Sequence, residues 1–157
     1  MSPVAVELEQ VARNYCEIIE ASSPSEADWL SRVAALLPRL HAAIAALGED
    51  QVNGEHALMA DLDARFELYT HLRELLGELD GYWMEFDVAD DRQCMSGSLA
   101  DDLTDIYCEL KHGLGMLEGQ PGEAIEGWRR GYKMHWGQHL LDAERHLYEL
   151  QAKGALP

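Results

Sequence analysis

Apolar side chains recur along this chain at steps of three and four residues, which is the spacing of one face of an α-helix. Five long segments follow it, and they cover residues 3–20, 24–48, 55–79, 98–117 and 123–152. The sequence has neither a sustained alternation of apolar and polar residues nor an Asn-Gly turn, the usual signs of strands. Residues 81–86 are predicted to form a short turn or helix, and residues 87–97 an ordered loop. The pattern therefore predicts an all-α fold, a single domain over residues 1–157 built as an antiparallel bundle of about six helices.

Local signals predict the limits of the second helix. Ser23 is the expected N-cap, because Pro24 suits the first helical position and Glu26 completes a capping box. The helix is expected to end at Gly48. Because proline removes a backbone hydrogen bond, we also expect a kink or a break near Pro38.

The last two helices are predicted to form an antiparallel pair. Ser98 opens the first of them, with Asp101 as the acid of a capping box. Residues 119–122 form a strong turn because they combine glycine and proline. A short turn places the two helices side by side.

One face of the last helix carries the residues with the most chemistry. His135, His139 and His146 are separated by four and seven residues, so they share one side of the helix. Since the preceding turn is short, His135 and His139 are predicted to lie level with Asp102 and Asp105 of the neighbouring helix. His146 is left nearer the open end of the pair.

Three interpretations of this cluster compete. Imidazoles and carboxylates from neighbouring helices can bind zinc, manganese or iron, although the Glu-x-x-His pattern and the zincin glutamate are both missing from the sequence. The same pairs can transfer protons without a metal. They can also be structural, with ring N–H groups paired to carboxylates at the border of the core. We favour the structural interpretation and assign no catalytic residue and no cofactor other than a divalent metal, whose candidate ligands are Asp102, Asp105, His135 and His139.

Composition narrows the class of partner. The chain has 29 acidic and 12 basic residues and a net charge of −17. This charge repels nucleic acid phosphates and anionic membrane surfaces, so we predict neither as a partner and expect a basic protein or self-association. Three cysteines without a CxxC pair fit a reducing compartment. With no recognisable signal peptide or membrane-spanning run, a cytoplasmic location is predicted.

Tyr82 and Trp83 form an aromatic pair in a short acidic segment. Exposed aromatic residues are typical of protein-interaction surfaces, so these two are the candidate interaction residues. The interpretation that we favour over this one is that they close the end of the bundle beneath the loop that follows.

Several blocks of the sequence resemble a known family. Residues 98–114 read SLADDLTDIYCELKHGL and residues 135–139 read HWGQH. Together with residues 75–83, they are similar to an uncharacterised bacterial family, a domain of unknown function marked by SLADDLxDIYxxLKxGL and HWGxH. The resemblance implies a small, cytosolic, all-helical domain and implies no activity. The family usually has a basic residue where this chain has Cys108, which argues against a shared cysteine nucleophile.

The sequence therefore predicts a class of function and no substrate. A non-enzymatic intracellular module that binds a ligand or a protein is the preferred interpretation. The alternative is a metal-dependent hydrolase or a small-ligand-binding bundle that uses the cluster of histidines and aspartates between the last two helices.

Overall fold

Long helices dominate the protein, whose computed structural model describes residues 1–48, 56, 61–85 and 94–157. The helices are α1 (Pro3–Ala21), α2 (Trp29–Ala45), α3 (Leu62–Leu76), α4 (Leu99–Met116), α5 (Pro121–Gly131) and α6 (Gly137–Ala152). A π-helical turn, Tyr132–Trp136, joins α5 to α6, so the last two form one continuous helix and the described bundle has five long helices. The predicted mostly helical single domain is confirmed, and the predicted number of about six helices is slightly high.

Two of the predicted helix starts are confirmed by their caps. The Ser2 hydroxyl accepts a hydrogen bond from the backbone N–H of Ala5 at 3.2 Å, and the Ser98 hydroxyl accepts one from Asp101 at 3.2 Å. Asp80 adds a second cap to α4, because its carboxylate accepts from the Ala100 N–H at 2.7 Å. The first turn of α4, which carries the candidate site, is therefore held from two sides.

The predicted start of α2 is wrong. Two successive turns precede the helix, since the N–H of Glu26 donates to Ser23 and the N–H of Trp29 donates to Glu26, each at 3.1 Å. The Ser23 side chain bonds to Ser25 instead of capping a helix. The helical run then continues through Pro38 without a break and ends before Gly48, whose positive φ of 76° suits glycine.

A β-hairpin replaces the turn or helix predicted at residues 81–86. Strand β1 (Gly81–Glu85) pairs antiparallel with β2 (Cys94–Ser98), and Tyr82 lies opposite Gly97. The sequence CMSGS of β2 lacks β-branched and aromatic residues, so it carries no strand signal. The predicted loop lies in part outside the described residues, and the part described belongs to β2.

Helix α3 is shorter than the predicted segment 55–79. It begins at Leu62 after the N-cap Asp61, and a 3₁₀ turn (Gly77–Leu79) follows it. The apolar positions of α3 are not all buried. Leu72 is buried, whereas Leu62 and Phe66 are 76% and 66% exposed. The described start of α3 therefore projects beyond the core. The other predicted residues, 55 and 57–60, lie outside the described part of the chain.

Helix α4 lies at the centre of the bundle and contacts α1, α3, α5 and α6. Tyr15 of α1 donates its hydroxyl to the backbone carbonyl of Leu103 at 2.7 Å. Trp128 and Trp136 are fully buried, and the Trp128 indole donates to the Glu109 carbonyl at 3.1 Å. Side chains on several faces of α4 therefore point into the protein, including those of the candidate site.

Among the described residues, none of the helices has the combination of length and apolar composition needed to cross a bilayer.

Candidate metal centre

Helix α4 carries a ladder of four carboxylates. Asp101 and Asp102 lie in its first turn, and Asp105 and Glu109 follow at helical spacing. Asp102 and Glu109 are each only 3% exposed, and Asp105 is 9% exposed. Buried carboxylates are costly unless charged or polar groups meet them, so the neighbours of this ladder determine its chemistry.

The last helix supplies the histidines that face this ladder. His135 lies in the π-helical turn and His139 one turn further on, with their rings 5.0 Å apart and edge to face. Gly137 allows the π-helical turn to close, because a Cβ at this position would lie 2.3 Å from the Tyr132 carbonyl oxygen. Single π-helical turns inside α-helices occur frequently at functional sites.

The structure brings the four predicted residues together. His139 Nδ1 lies 2.7 Å from Asp102 Oδ1, and its Nε2 lies 3.1 Å from Asp105 Oδ2. His135 Nε2 lies 3.9 Å from the same Asp105 oxygen, while its Nδ1 lies 3.1 Å from Glu109 Oε1. Each ring thus turns Nδ1 toward a deeply buried carboxylate and Nε2 toward Asp105.

Arg65 of α3 fixes the other side of Asp105. Its Nε lies 2.9 Å from Asp105 Oδ1, and its Nη2 lies 2.8 Å from Asp101 Oδ1. The guanidinium group therefore leaves Asp105 Oδ2 to face the two histidines.

Two outer donors complete the cluster. The Tyr82 hydroxyl donates to Asp102 Oδ2, and His56 Nε2 lies 2.7 Å from Glu109 Oε1. Gly131 leaves the space for this second pair, since a Cβ there would lie 2.8 Å from Glu109 Oε2.

Sequence reasoning did not assign Glu109, Arg65, Tyr82 or His56 to this cluster. Glu109 carried a usable signal, because it lies one helical turn beyond Asp105 on the same face of α4. Arg65, Tyr82 and His56 carried none, because they reach the cluster from separate elements of the chain.

Two other residues singled out in the sequence lie apart from this centre. His146 is buried, and its Nε2 donates to the Leu79 carbonyl at 2.7 Å. Trp83 is 74% exposed, so its interaction role remains a prediction, whereas the burial of Tyr82 leaves little of that side chain for a partner.

A cavity of about 560 Å³ opens beside the centre. Helix α3, the hairpin, α4 and α6 all contribute to its wall. His139, Asp101 and Asp102 line the side next to the centre, and Phe66 and Met84 line another part. A small molecule can therefore reach the edge of the cluster without displacing the core.

The model of a family described as a domain of unknown function, DUF5063, matches residues 1–153. The chain belongs to this family. The crystal structure of protein BF1032 from Bacteroides fragilis is similar, with a TM-score of 0.74 and 19% identity over 96% of this chain and 93% of that chain. At this identity the likeness shows a shared fold. No curated protein matches the chain.

The charge states in this DUF5063 chain follow from the contacts of His139. Burial opposes its imidazolium form, but the hydrogen bonds to Asp102 and Asp105 outweigh burial and raise the pKa of His139 to about 10. Burial favours the neutral form of Asp105, but the hydrogen bonds from His139 and Arg65 outweigh burial and lower the pKa of that carboxyl. For Asp102 burial prevails over its donors, so its pKa is raised.

We expect the metal-free protein to lose stability as the pH rises from 6.5 to about 8.5. The pKa of His139 is about 10 in the folded chain against an ordinary 6.5, so its contribution is complete below 6.5 and fades as the pH approaches 10. Burial raises the pKa of the Cys16 thiol from an ordinary 9.0 to about 12, so this group adds a similar loss of stability only near and above pH 9.0. Urea melts of chelator-treated protein would measure the trend.

The variant His139→Asn isolates the contribution of this imidazole. Its stability is expected to change less over the same pH window, so the gap from the native protein should narrow as the pH rises. Parallel curves for the two proteins would contradict the assigned charge state.

Proposed function

We propose that this protein binds a divalent transition-metal ion through Asp105, His135 and His139. The observation that carries the proposal is the convergence of both Nε2 atoms on Asp105 Oδ2, at 3.1 and 3.9 Å. Ligand atoms about 2.0–2.2 Å from a shared tetrahedral ion lie roughly 3.3–3.5 Å from one another. One ligand atom from each of the three residues lies within 4.8 Å of the other two, so side-chain shifts can bring them to this spacing.

The outer contacts of the two histidines support the same function. A metal-binding histidine usually donates its second ring N–H to a carboxylate or carbonyl, which fixes the tautomer and the ring orientation. Asp102 accepts in this way from His139, and Glu109 from His135. A histidine that serves only to pair one carboxylate needs one such contact, whereas each of these rings has a carboxylate on both sides.

The charge balance also favours a cation. Among the described residues, the cluster contains four carboxylates, Asp101, Asp102, Asp105 and Glu109, and one arginine, Arg65, which contacts Asp101 and Asp105. A protonated His139 compensates part of this charge, and a divalent ion in place of that proton compensates more. Binding therefore has to release the His139 proton, which makes affinity increase with pH.

Two imidazoles and one carboxylate form a ligand set that suits zinc, manganese, iron or cobalt. Three protein ligands leave at least one coordination position for water or a substrate. Of the three proposed ligands, His139 lines the neighbouring cavity. The chemistry that such a site supports is hydrolysis by metal-bound water.

Metal titration of protein purified without a histidine tag and treated with chelator tests the proposal. We expect one equivalent of zinc, manganese or cobalt to bind by calorimetry or chelator competition. Loss of a hydrogen-bond partner of a metal ligand typically weakens metal binding about 10–100-fold. His135→Ala and His139→Ala each remove a ligand itself, so each is expected to weaken binding at least about 100-fold. The double variant should bind no metal at this site.

His41→Ala is the matched control. His41 pairs with Glu144 at 2.9 Å and has no contact with the three proposed ligands among the described residues. The metal stoichiometry and affinity of the His41→Ala variant should equal those of the native protein. Native protein that binds none of the metals, or a double variant that keeps full stoichiometry, would overturn the proposal.

A further inference from the structure

The hairpin reaches the proposed metal site through Tyr82. This side chain is 8% exposed, and its hydroxyl donates to Asp102 Oδ2. The other oxygen of Asp102 lies 2.7 Å from His139 Nδ1. A single carboxylate therefore joins strand β1 to the ring whose Nε2 faces Asp105.

The two oxygens of Asp102 have different donors, and this fixes the orientation of the carboxylate. With both donors in place the group cannot rotate about its Cβ–Cγ bond without losing one of them. A fixed carboxylate in turn fixes the plane of the His139 ring and keeps a proton on Nδ1. Nε2 then stays directed toward Asp105.

Tyr15 shows what a purely structural tyrosine does on the same helix. Its hydroxyl is also buried, and it donates to the backbone carbonyl of Leu103 at 2.7 Å. This bond reaches α4 one residue beyond Asp102 but ends on the backbone. Tyr82 instead reaches a carboxylate side chain that itself contacts a proposed ligand.

We infer that Tyr82 is a positioning residue of the metal centre, which acts through Asp102 on the ligand His139. The inference rests on the proposed function, and it makes the β-hairpin a part of the site. The hydroxyl is not one of the three proposed ligands, so its removal is expected to weaken binding without removing a ligand.

Paired tyrosine variants test this inference. Tyr82→Phe is expected to weaken zinc and cobalt binding about tenfold, the lower end for outer contacts of metal ligands. It should also change the visible absorption spectrum of bound Co²⁺, because the His139 ring is held less firmly. Tyr15→Phe loses a buried hydrogen bond on the same helix, so it should lower the melting temperature and leave affinity and spectrum unchanged.

A measurement on metal-free protein separates this inference from the proposed function. Proton–nitrogen NMR of the histidine rings reports the proton on His139 Nδ1. We expect its resonance to shift in Tyr82→Phe and to stay in place in Tyr15→Phe. An unshifted resonance overturns the inference whether or not metal binds. Equal losses of affinity in the two variants would also overturn it. Native protein that binds no metal overturns the proposed function and with it the role of Tyr82 at a metal centre, whereas native protein that binds metal with an unshifted resonance in Tyr82→Phe overturns this inference alone.

Discussion

Replacement of Gly113 by alanine is expected to lower the melting temperature by about 6–12 °C. A Cβ at this position would lie 2.1 Å from Nε1 and 2.4 Å from Cε2 of Trp128. The indole is 1% exposed and donates to the Glu109 carbonyl, so any movement away from an added Cβ disturbs buried packing and this hydrogen bond. Overpacking of this kind costs about 3 kcal/mol at its upper end, and each kcal/mol corresponds to about 2–4 °C in a domain of this size.

Gly115→Ala is the control for this substitution. Gly115 belongs to the same helix, is exposed, and has no atom near the position of an added Cβ. Because alanine is a better helix former than glycine by about 1 kcal/mol, this variant should be slightly more stable than the native protein. Thermal melts that show the same effect at both positions would contradict the assigned contact with Trp128.

The sequence predicts the helices best where a local signal suffices. The Ser98 cap is formed as expected, because a capping side chain bonds to a backbone group only three residues away. The capping box at Ser23 is not formed, because two turns precede α2 and the Ser23 hydroxyl has a competing partner in Ser25. A local motif therefore has its effect only where tertiary packing agrees with it.

The hairpin could not be predicted from periodicity. Each strand has five residues, and β2 consists mainly of small and polar side chains. Such a strand is stabilised by its pairing and by the burial of Tyr82 against α4, both of which depend on distant parts of the chain.

The candidate site shows the same division between local and distant information. Helical spacing together with a short turn was enough to set His139 nearly level with Asp102, and the structure puts the two side chains 2.7 Å apart. It was not enough to place Arg65 or Tyr82, because α3 and the hairpin approach α4 from directions that no local pattern specifies.

The preference for a structural role of the histidines rested on the frequency of simple His–carboxylate pairs. The arrangement of the ring nitrogens argues for a different role. A structural pair needs one nitrogen, whereas His135 and His139 both direct the second nitrogen toward Asp105. This convergence was not accessible from spacing, which gives the height of a residue on a helix but not the direction of its ring.

Gly97→Ala is expected to weaken both the fold and the proposed metal site. Gly97 lies opposite Tyr82 in the hairpin, and a Cβ there would lie 2.2 Å from Cε2 and 2.8 Å from the hydroxyl oxygen of that ring. The ring has to leave its place, which costs about 1–3 kcal/mol. Displacement of the ring also removes the hydroxyl that donates to Asp102. Zinc affinity should therefore fall at least as far as in Tyr82→Phe, by about 10–100-fold.

Gly81→Ala supplies the matched control in the neighbouring residue pair of the same two strands. Gly81 lies opposite Ser98, its φ is not positive, and, apart from its two chain neighbours, no described atom lies within 4 Å of an added Cβ. This variant should keep the native zinc affinity and change stability little, because nothing displaces the Tyr82 ring. Chelator competition and thermal melts of both variants, together with Tyr82→Phe, separate the hairpin's general stability from its effect on the metal ligand. If Gly97→Ala lowers stability and leaves zinc affinity at the native value, Asp102 is held without Tyr82, and the hairpin supports the fold alone.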